Sequence, residues 1–211
     1  MLWVGVQNLG QRLATSLRYG ARYGSNHWYW RLGYALWLES WRGPAHRPGQ
    51  QLQPDPDWSA DDFIYGETPL GTAHQLLQWA ELRPGQRFCE IGCGRAVVGL
   101  VAQLVFGAEV DGFEKVPSLA DKARWLARAL GVEKNVRIHE EGPYPAADVY
   151  FLTPTTWSEQ NWQRVREGLA SAPTGSRALV LSQPLPGWTV LAQKSLPYSW
   201  GWNRTYLQIK I

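Results

Sequence analysis

Phe88-Cys89-Glu90-Ile91-Gly92-Cys93-Gly94-Arg95-Ala96 is the stretch on which the reading of this chain turns. Residues 87–91 are a short, mostly apolar run of the kind that makes a buried strand, and the apolar segment from about 95 to 106 reads as a helix. The glycines therefore stand at a strand-to-helix turn. Without a Cβ they let the backbone pass close to a ligand, and the helix N-terminus behind the turn favours negative charge. Twenty residues after Gly94, at the end of the next expected strand (109–114), stands Glu114.

The alternation continues downstream. Helices are expected at 71–82, 95–106, 117–130 and 158–171, with Pro117 suited to a first turn and Gly131 to a C-terminal cap. Strands are expected at 87–91, 109–114, 135–139, 148–152 and 177–182, and two further strands close the chain with no helix between them. This pattern predicts an α/β fold with a mostly parallel sheet and an antiparallel edge. Upstream the pattern differs. Leu2, Val6, Leu9, Leu13 and Leu17 form one helical stripe, and 27–41 reads as a second helix with Trp30, Tyr34, Trp37 and Trp41 on one side. Pro44, Pro48, Pro54 and Pro56 then exclude helix and central strand alike. Residues 1–56 are thus expected to be a helical extension with a proline-rich linker, and 57–211 the main domain.

Composition narrows the function classes. The 211 residues are 45% hydrophobic and 18% charged, a globular balance. Six arginines and three acids lie in residues 1–60, so the formal charge of +3 sits wholly in the front of the chain, together with six of the thirteen tryptophans. The charge-balanced remainder predicts no nucleic-acid partner. Two cysteines, Cys89 and Cys93, cannot build a disulfide framework, and four scattered histidines suggest no metal site. No apolar run reaches the ~20 residues of a membrane span, and the start lacks the pattern of a signal peptide. The expectation is an intracellular, cytoplasmic protein. Tryptophan- and arginine-bearing helices suit contact with a membrane surface through residues 1–41, and packing onto the domain as a cap is the other reading.

The glycine turn followed at the right distance by an acid matches the logic of nucleotide-cofactor loops, in which the acid accepts both ribose hydroxyls of an adenosine. Ala96 stands where the dinucleotide fingerprint allows Gly or Ala. Glu90 gives direction: a carboxylate beside a pyrophosphate would be repelled, whereas beside the ammonium of a methionine-derived cofactor it would help. That favours S-adenosylmethionine over a nicotinamide dinucleotide.

On these residues the chain, over roughly 60–211, resembles the class I, seven-strand S-adenosylmethionine-dependent methyltransferases. The resemblance implies a Rossmann-like seven-stranded sheet with an antiparallel C-terminal strand, a cofactor loop at Glu90, Gly92 and Gly94, a ribose-binding Glu114, and an adenine contact from Glu140 or Glu141. A narrower resemblance is carried by Phe63-Ile64-Tyr65-Gly66-Glu67-Thr68, which is similar to the Tyr-Gly-Glu segment of the non-SET histone lysine methyltransferases of the disruptor-of-telomeric-silencing type. It implies cofactor roles for Tyr65, Glu67 and Thr68, and a protein lysine as acceptor. The chain departs from that family at Thr153-Pro154-Thr155-Thr156-Trp157, where the family carries asparagines, and its tyrosine pair is reduced to Tyr206. A nucleosomal substrate is not expected. The implied residues around the transferred methyl are Tyr65, Thr153 and Tyr206, with Trp157 and Trp200 as aromatic neighbours. The acceptor is read as a protein nitrogen, with a small molecule as the alternative; a non-catalytic partner- or membrane-binding relative of these enzymes is the remaining reading. Oligomeric state is not legible.

Overall fold

The computed structural model describes residues 17–43, 66–155 and 157–211. The leucine stripe of 2–13, the proline linker, Tyr65 and Thr156 lie outside the described residues. The described helices are α1 (His27–Ser40), α2 (Leu70–Trp79), α3 (Val97–Phe106), α4 (Pro117–Ala129) and α5 (Glu159–Gly168), preceded by a helical stretch at 17–23. The strands are β1 (Arg87–Ile91), β2 (Glu109–Phe113), β3 (Val136–His139), β4 (Val149–Leu152), β5 (Arg177–Leu181), β6 (Thr189–Tyr198) and β7 (Gly201–Ile209).

The seven strands form one sheet in the order β3-β2-β1-β4-β5-β7-β6. The first five pair in parallel, and β7 runs antiparallel between β5 and β6. The expected α/β architecture with an antiparallel C-terminal strand is therefore what forms. The central strands are buried on both faces, which is why they read as near-continuous apolar runs. Side chains alternate between two cores: Phe88, Phe151, Leu179 and Leu181 face one, and Cys89, Tyr150, Leu152 and Val180 the other. Residues from α1 to α4 join the first core, and Trp162 and Val165 of α5 pack in the second.

Local chemistry explains the element ends. The helix expected over 71–82 stops at Trp79, because Glu81 takes a left-handed conformation (φ 52°) and the Leu82 N–H turns back to the Leu77 carbonyl. α4 begins with Pro117 and is followed by Gly131 at φ 66°. The strand β6 carries an irregularity: Val190 pairs with Gln208 and Ala192 with Leu207, so Leu191 is an extra residue.

The described part of the N-terminal extension packs onto the sheet domain. Leu32 and Ala35 of α1 enter the first core. Trp28 stacks on His74 with the ring planes 8° apart. Tyr19 lies flat over Gly71, and its hydroxyl shares a hydrogen bond of 2.8 Å with Thr72 Oγ1, which donates to the Pro197 carbonyl. A Cβ on Gly71 would fall 2.4 Å from the Tyr19 ring. Gly71→Ala should therefore destabilise the protein by about 1–3 kcal/mol through overpacking, less up to about 1 kcal/mol returned by better helix propensity. Urea unfolding reads the balance, and a stabilised variant would show that the extension does not hold to α2 as described.

Candidate active site

The crossover reverses direction between β1 and β4, which are neighbours in the sheet. Loops leaving the C-terminal ends of adjacent parallel strands diverge there and leave a crevice, the position at which open α/β sheets take ligands. A cavity of about 530 Å³ occupies it, within the usual range of small-molecule sites. Its walls come from the ends of β1 (Gly92, Gly94), β2 (Glu114, Lys115, Val116), β3 (Glu140, Glu141) and β4 (Thr153, Trp157), with Asn161 and Arg164 of α5 and Trp200 completing it.

The turn after β1 is built by the conformations its residues can take. Gly92 and Gly94 have φ of 75° and 54°, and Ala96 is left-handed at 56° just before α3. The Gly92 and Cys93 N–H groups both donate to the Phe113 carbonyl, tying the β1 turn to the end of β2. A Cβ on Gly92 would approach the Trp157 ring at 3.2 Å and Thr153 Oγ1 at 3.5 Å, so the glycine keeps that wall of the cavity thin.

Glu114 is almost buried, yet both carboxylate oxygens are answered by backbone: Gly94 N–H donates to one at 2.7 Å and Val116 N–H to the other at 2.8 Å. Burial pushes its carboxyl up, and these two donors pull it back down in part. Each oxygen keeps a lone pair for a further donor such as a hydroxyl. At the next strand end Glu140 is ion-paired to Arg124 at 2.8 Å, whereas Glu141 makes no such pair among the described residues. Both line the cavity.

Glu90 stands apart from the cavity. Its carboxylate accepts the Gly99 N–H at 2.7 Å and reaches the Val98 N–H of the same turn. It caps α3 from the neighbouring strand, because Ala96 at the N-cap has no side chain able to do so. Burial, with the charge of Glu114 adding to it, pushes the Glu90 carboxyl up to about 8 against these donors.

The other expected site residues fall in two groups. Gly92, Gly94, Glu114, Glu140, Glu141 and Thr153 surround one cavity. Glu67, Thr68 and Tyr206 do not line it. Thr68 is buried, Tyr206 lies on β7 across from Val180, and Glu67 is engaged by Arg95. The cysteine thiols are both buried, and burial raises each well above its ordinary range, which removes them as nucleophiles. His139 bonds Asp111 at 2.9 Å and stacks on Phe113, a structural role.

Three features go beyond the sequence reading, which named Trp200 only as an aromatic neighbour of the methyl and gave no role to Asn161 or Glu39. Asn161 is buried against the cavity, and neither atom of its carboxamide has a hydrogen-bond partner among the described residues. Trp200, which lines the cavity and would contact a Cβ on Gly66, likewise has an indole N–H with no partner among them. Buried polar groups without partners are rare and call for a ligand or water. The third is Glu39, fully buried on α1. Arg95, the residue after Gly94, donates to its carboxylate at 2.7 Å, and Lys122 of α4 pairs with it as well. Arg95 also bonds Glu67 through Nε at 2.8 Å. The extension thus braces the cofactor-type loop by a chain of charges. A signal for this existed, since Glu39 stands half a turn round the helix from Trp30, Trp37 and Trp41.

No family model matches the chain. Its curated relatives include the ribosomal protein L11 methyltransferase of Cupriavidus necator, 25% identical over 155 residues that make up 72% of this chain and 45% of that protein. The chain spans less than half of that relative's length. Among solved structures, an RNA methyltransferase from Salinibacter ruber in complex with S-adenosyl-L-homocysteine superposes with a TM-score of 0.58 at 22% identity, over 68% of this chain and 93% of that one. The fold is that of the class I methyltransferases. The same fold also serves the [4+2]-cyclase SpnF, with a TM-score of 0.57 at 14% identity over 67% of this chain and 81% of that one. A class I methyltransferase fold therefore does not by itself fix the reaction, and the site must argue it.

Two variants probe the buried carboxylates. Glu39→Ala leaves Lys122 without an answering carboxylate and Arg95 with Glu67 alone, and should cost about 3–5 kcal/mol of stability; a loss under about 1 kcal/mol in urea unfolding would show that the charges do not hold α1. For Glu90 the sign is opposite to that of a paired surface acid. Its folded value of about 8 lies above the ordinary 4.5, so the folded state binds more protons between those pH values and stability falls as pH rises through them. Glu90→Gln removes that slope. Relative to the parent, the variant should gain stability between pH 5 and pH 8, and a constant difference across that range would refute the assignment.

Proposed function

We propose that the chain is an S-adenosylmethionine-dependent methyltransferase that N-methylates a protein lysine. The observation that carries the cofactor half is Glu114, held by the Gly94 and Val116 N–H groups at the mouth of one cavity with the glycine turn. The paired backbone donors aim its remaining lone pairs at the place where a ribose would present two hydroxyls. Glu141, which has no ion-pair partner among the described residues, suits the exocyclic amine of adenine better than the Arg124-bound Glu140. Gly92 and Gly94 admit the methionine portion. Glu90 serves that half indirectly, by fixing the start of α3, and Glu67 does so through Arg95. Tyr65 is proposed, on the family resemblance, to join the same end of the site.

The bound cofactor supplies an electrophilic methyl on a sulfonium. What the chain must supply is alignment and the exclusion of water. Thr153, Trp157 and Trp200 line the cavity beside the glycine turn. Their apolar bulk sheds water, and aromatic faces attract the cationic centre through their quadrupoles. An amine entering between these rings is desolvated, which disfavours its ammonium form and frees the lone pair that attacks. Tyr206 on β7 is proposed to act on the acceptor side. The protein acceptor is supported by the likeness to a methyltransferase of a ribosomal protein; the likeness to an RNA methyltransferase makes RNA the competing acceptor, and a metabolite is the third.

Isothermal titration should show binding of S-adenosylmethionine, and Glu114→Ala should weaken it by about 1–3 kcal/mol through loss of charge-assisted hydrogen bonds. No binding at millimolar cofactor would overturn the proposal. Incubating host lysate with the enzyme and methyl-labelled cofactor then reads the acceptor. Label in protein that survives nuclease and is lost to protease supports the lysine reading, whereas label in RNA or in a small metabolite replaces it.

A further inference from the structure

On the face of α1 opposite Glu39 no other element of the sheet domain packs among the described residues; the Trp30 indole N–H donates locally to the Gly24 carbonyl at 2.6 Å. Trp30, Tyr34, Trp37 and Trp41 succeed one another along this face, and all four are more than half exposed. Three of the rings touch in series: Tyr34 and Trp37 stack at 5.7 Å, and Trp37 meets Trp41 edge-on at 5.7 Å. At 1.5 Å per residue the strip runs ~16 Å along the helix. Isolated exposed aromatics need no explanation, but a continuous strip of this kind marks a contact surface.

Its chemistry separates the possible occupants. Every side chain in the strip is tryptophan or tyrosine, residues whose apolar body and polar tip favour the boundary between hydrocarbon and water. Arg31 and Arg42 flank the strip on one side, ~100–120° round the helix, where Arg31 also donates to the Leu130 carbonyl at 2.5 Å and Arg42 lies over the Trp125 ring; Arg18 and Arg22 extend the positive surface through the preceding helical stretch, and all four residues are exposed. The only acid in residues 17–43 is Glu39, which is fully buried and neutralised by Arg95 and Lys122. The surface is therefore aromatic in the middle, cationic at its side and free of negative charge. A second copy of the chain is disfavoured, since a two-fold contact would bring arginines against arginines. No helix among the described residues is long and apolar enough to cross a membrane.

We propose that the aromatic strip Trp30–Tyr34–Trp37–Trp41 of α1, with its flanking arginines, docks flat on the surface of an anionic lipid bilayer. The rings insert at headgroup level and the guanidinium groups meet lipid phosphate. Through Glu39 and Arg95 the same helix is anchored to the loop at the cavity, so docking would hold the catalytic domain at the membrane surface in a defined orientation. The inference stands independently of the reaction, since it uses none of the cavity residues.

Flotation of the full chain on a sucrose gradient tests it. With phosphatidylcholine vesicles carrying about one quarter phosphatidylglycerol, the protein should float at low salt, and it should float far less with phosphatidylcholine alone. The triple variant Tyr34→Ser, Trp37→Ser, Trp41→Ser should lower the bound fraction by about tenfold or more while leaving cofactor binding unchanged. Arg18→Gln with Arg22→Gln, at exposed positions away from α4, should weaken binding to the anionic vesicles only. As a measure that needs no variant, brominated lipid should quench the tryptophan fluorescence of the parent protein. A parent chain that stays unbound to anionic vesicles overturns the proposal. So does a triple variant that floats equally well, or a parent dimer at micromolar concentration that the triple variant converts to monomer.

Discussion

A carboxylate with no exposed surface is tolerable only where its charge is answered on the spot, and Glu39 is answered twice, by Arg95 and by Lys122. That requirement organises much of the molecule. It fixes α1 in one rotation about its axis, because turning the helix would part the buried Glu39 from both of its cations and leave Lys122 without a carboxylate. With that rotation set, Leu32 and Ala35 face the core and Trp30, Trp37 and Trp41 face outward. It also restrains Arg95, and hence the turn whose Gly94 N–H holds Glu114. The extension and the cavity are one mechanical unit, although a proline-rich stretch separates them in sequence.

Three buried acids illustrate three ways of paying for burial. Glu39 relies on opposite charge, Glu114 on two backbone donors, and Glu90 on the N–H groups of a helix start that have no partner within the helix. The consequences differ. Backbone donors leave lone pairs free and so permit ligand binding, as at Glu114. The Glu90 carboxyl, buried beside a second acid, holds its proton to about pH 8 and contributes to the scaffold rather than to the reacting centre.

Much of this was legible from residues alone. Strand order could not be read from periodicity, but the alternation of elements and the terminal pair of strands predicted a sheet that is parallel except at one edge, and each element lies within a few residues of its expected place. The glycine turn and Glu114 met in space as their spacing implied. What escaped was everything set by orientation. Nothing in the sequence says that Glu90 points along the helix rather than into the crevice, since that depends on Ala96 being unable to cap α3. The burial of Asn161, with a carboxamide lacking partners, depends on how α5 packs over the second core. The division of Glu140 from Glu141 required Arg124 to arrive from another element.

The irregularity at Leu191 has a consequence for the protein's behaviour in solution. Among the described residues β6 is the outer strand of the sheet, and a long unpaired strand is a template on which another chain can add a strand of its own. The extra residue breaks the regular spacing of backbone donors and acceptors there, and Lys194 adds a charge that a stacking neighbour would have to bury. At the opposite end β3 offers only four residues. Among the described residues these features make growth of the sheet at either side less favourable, which shifts self-association away from the backbone ladder that seeds fibrils and toward side chains on the faces.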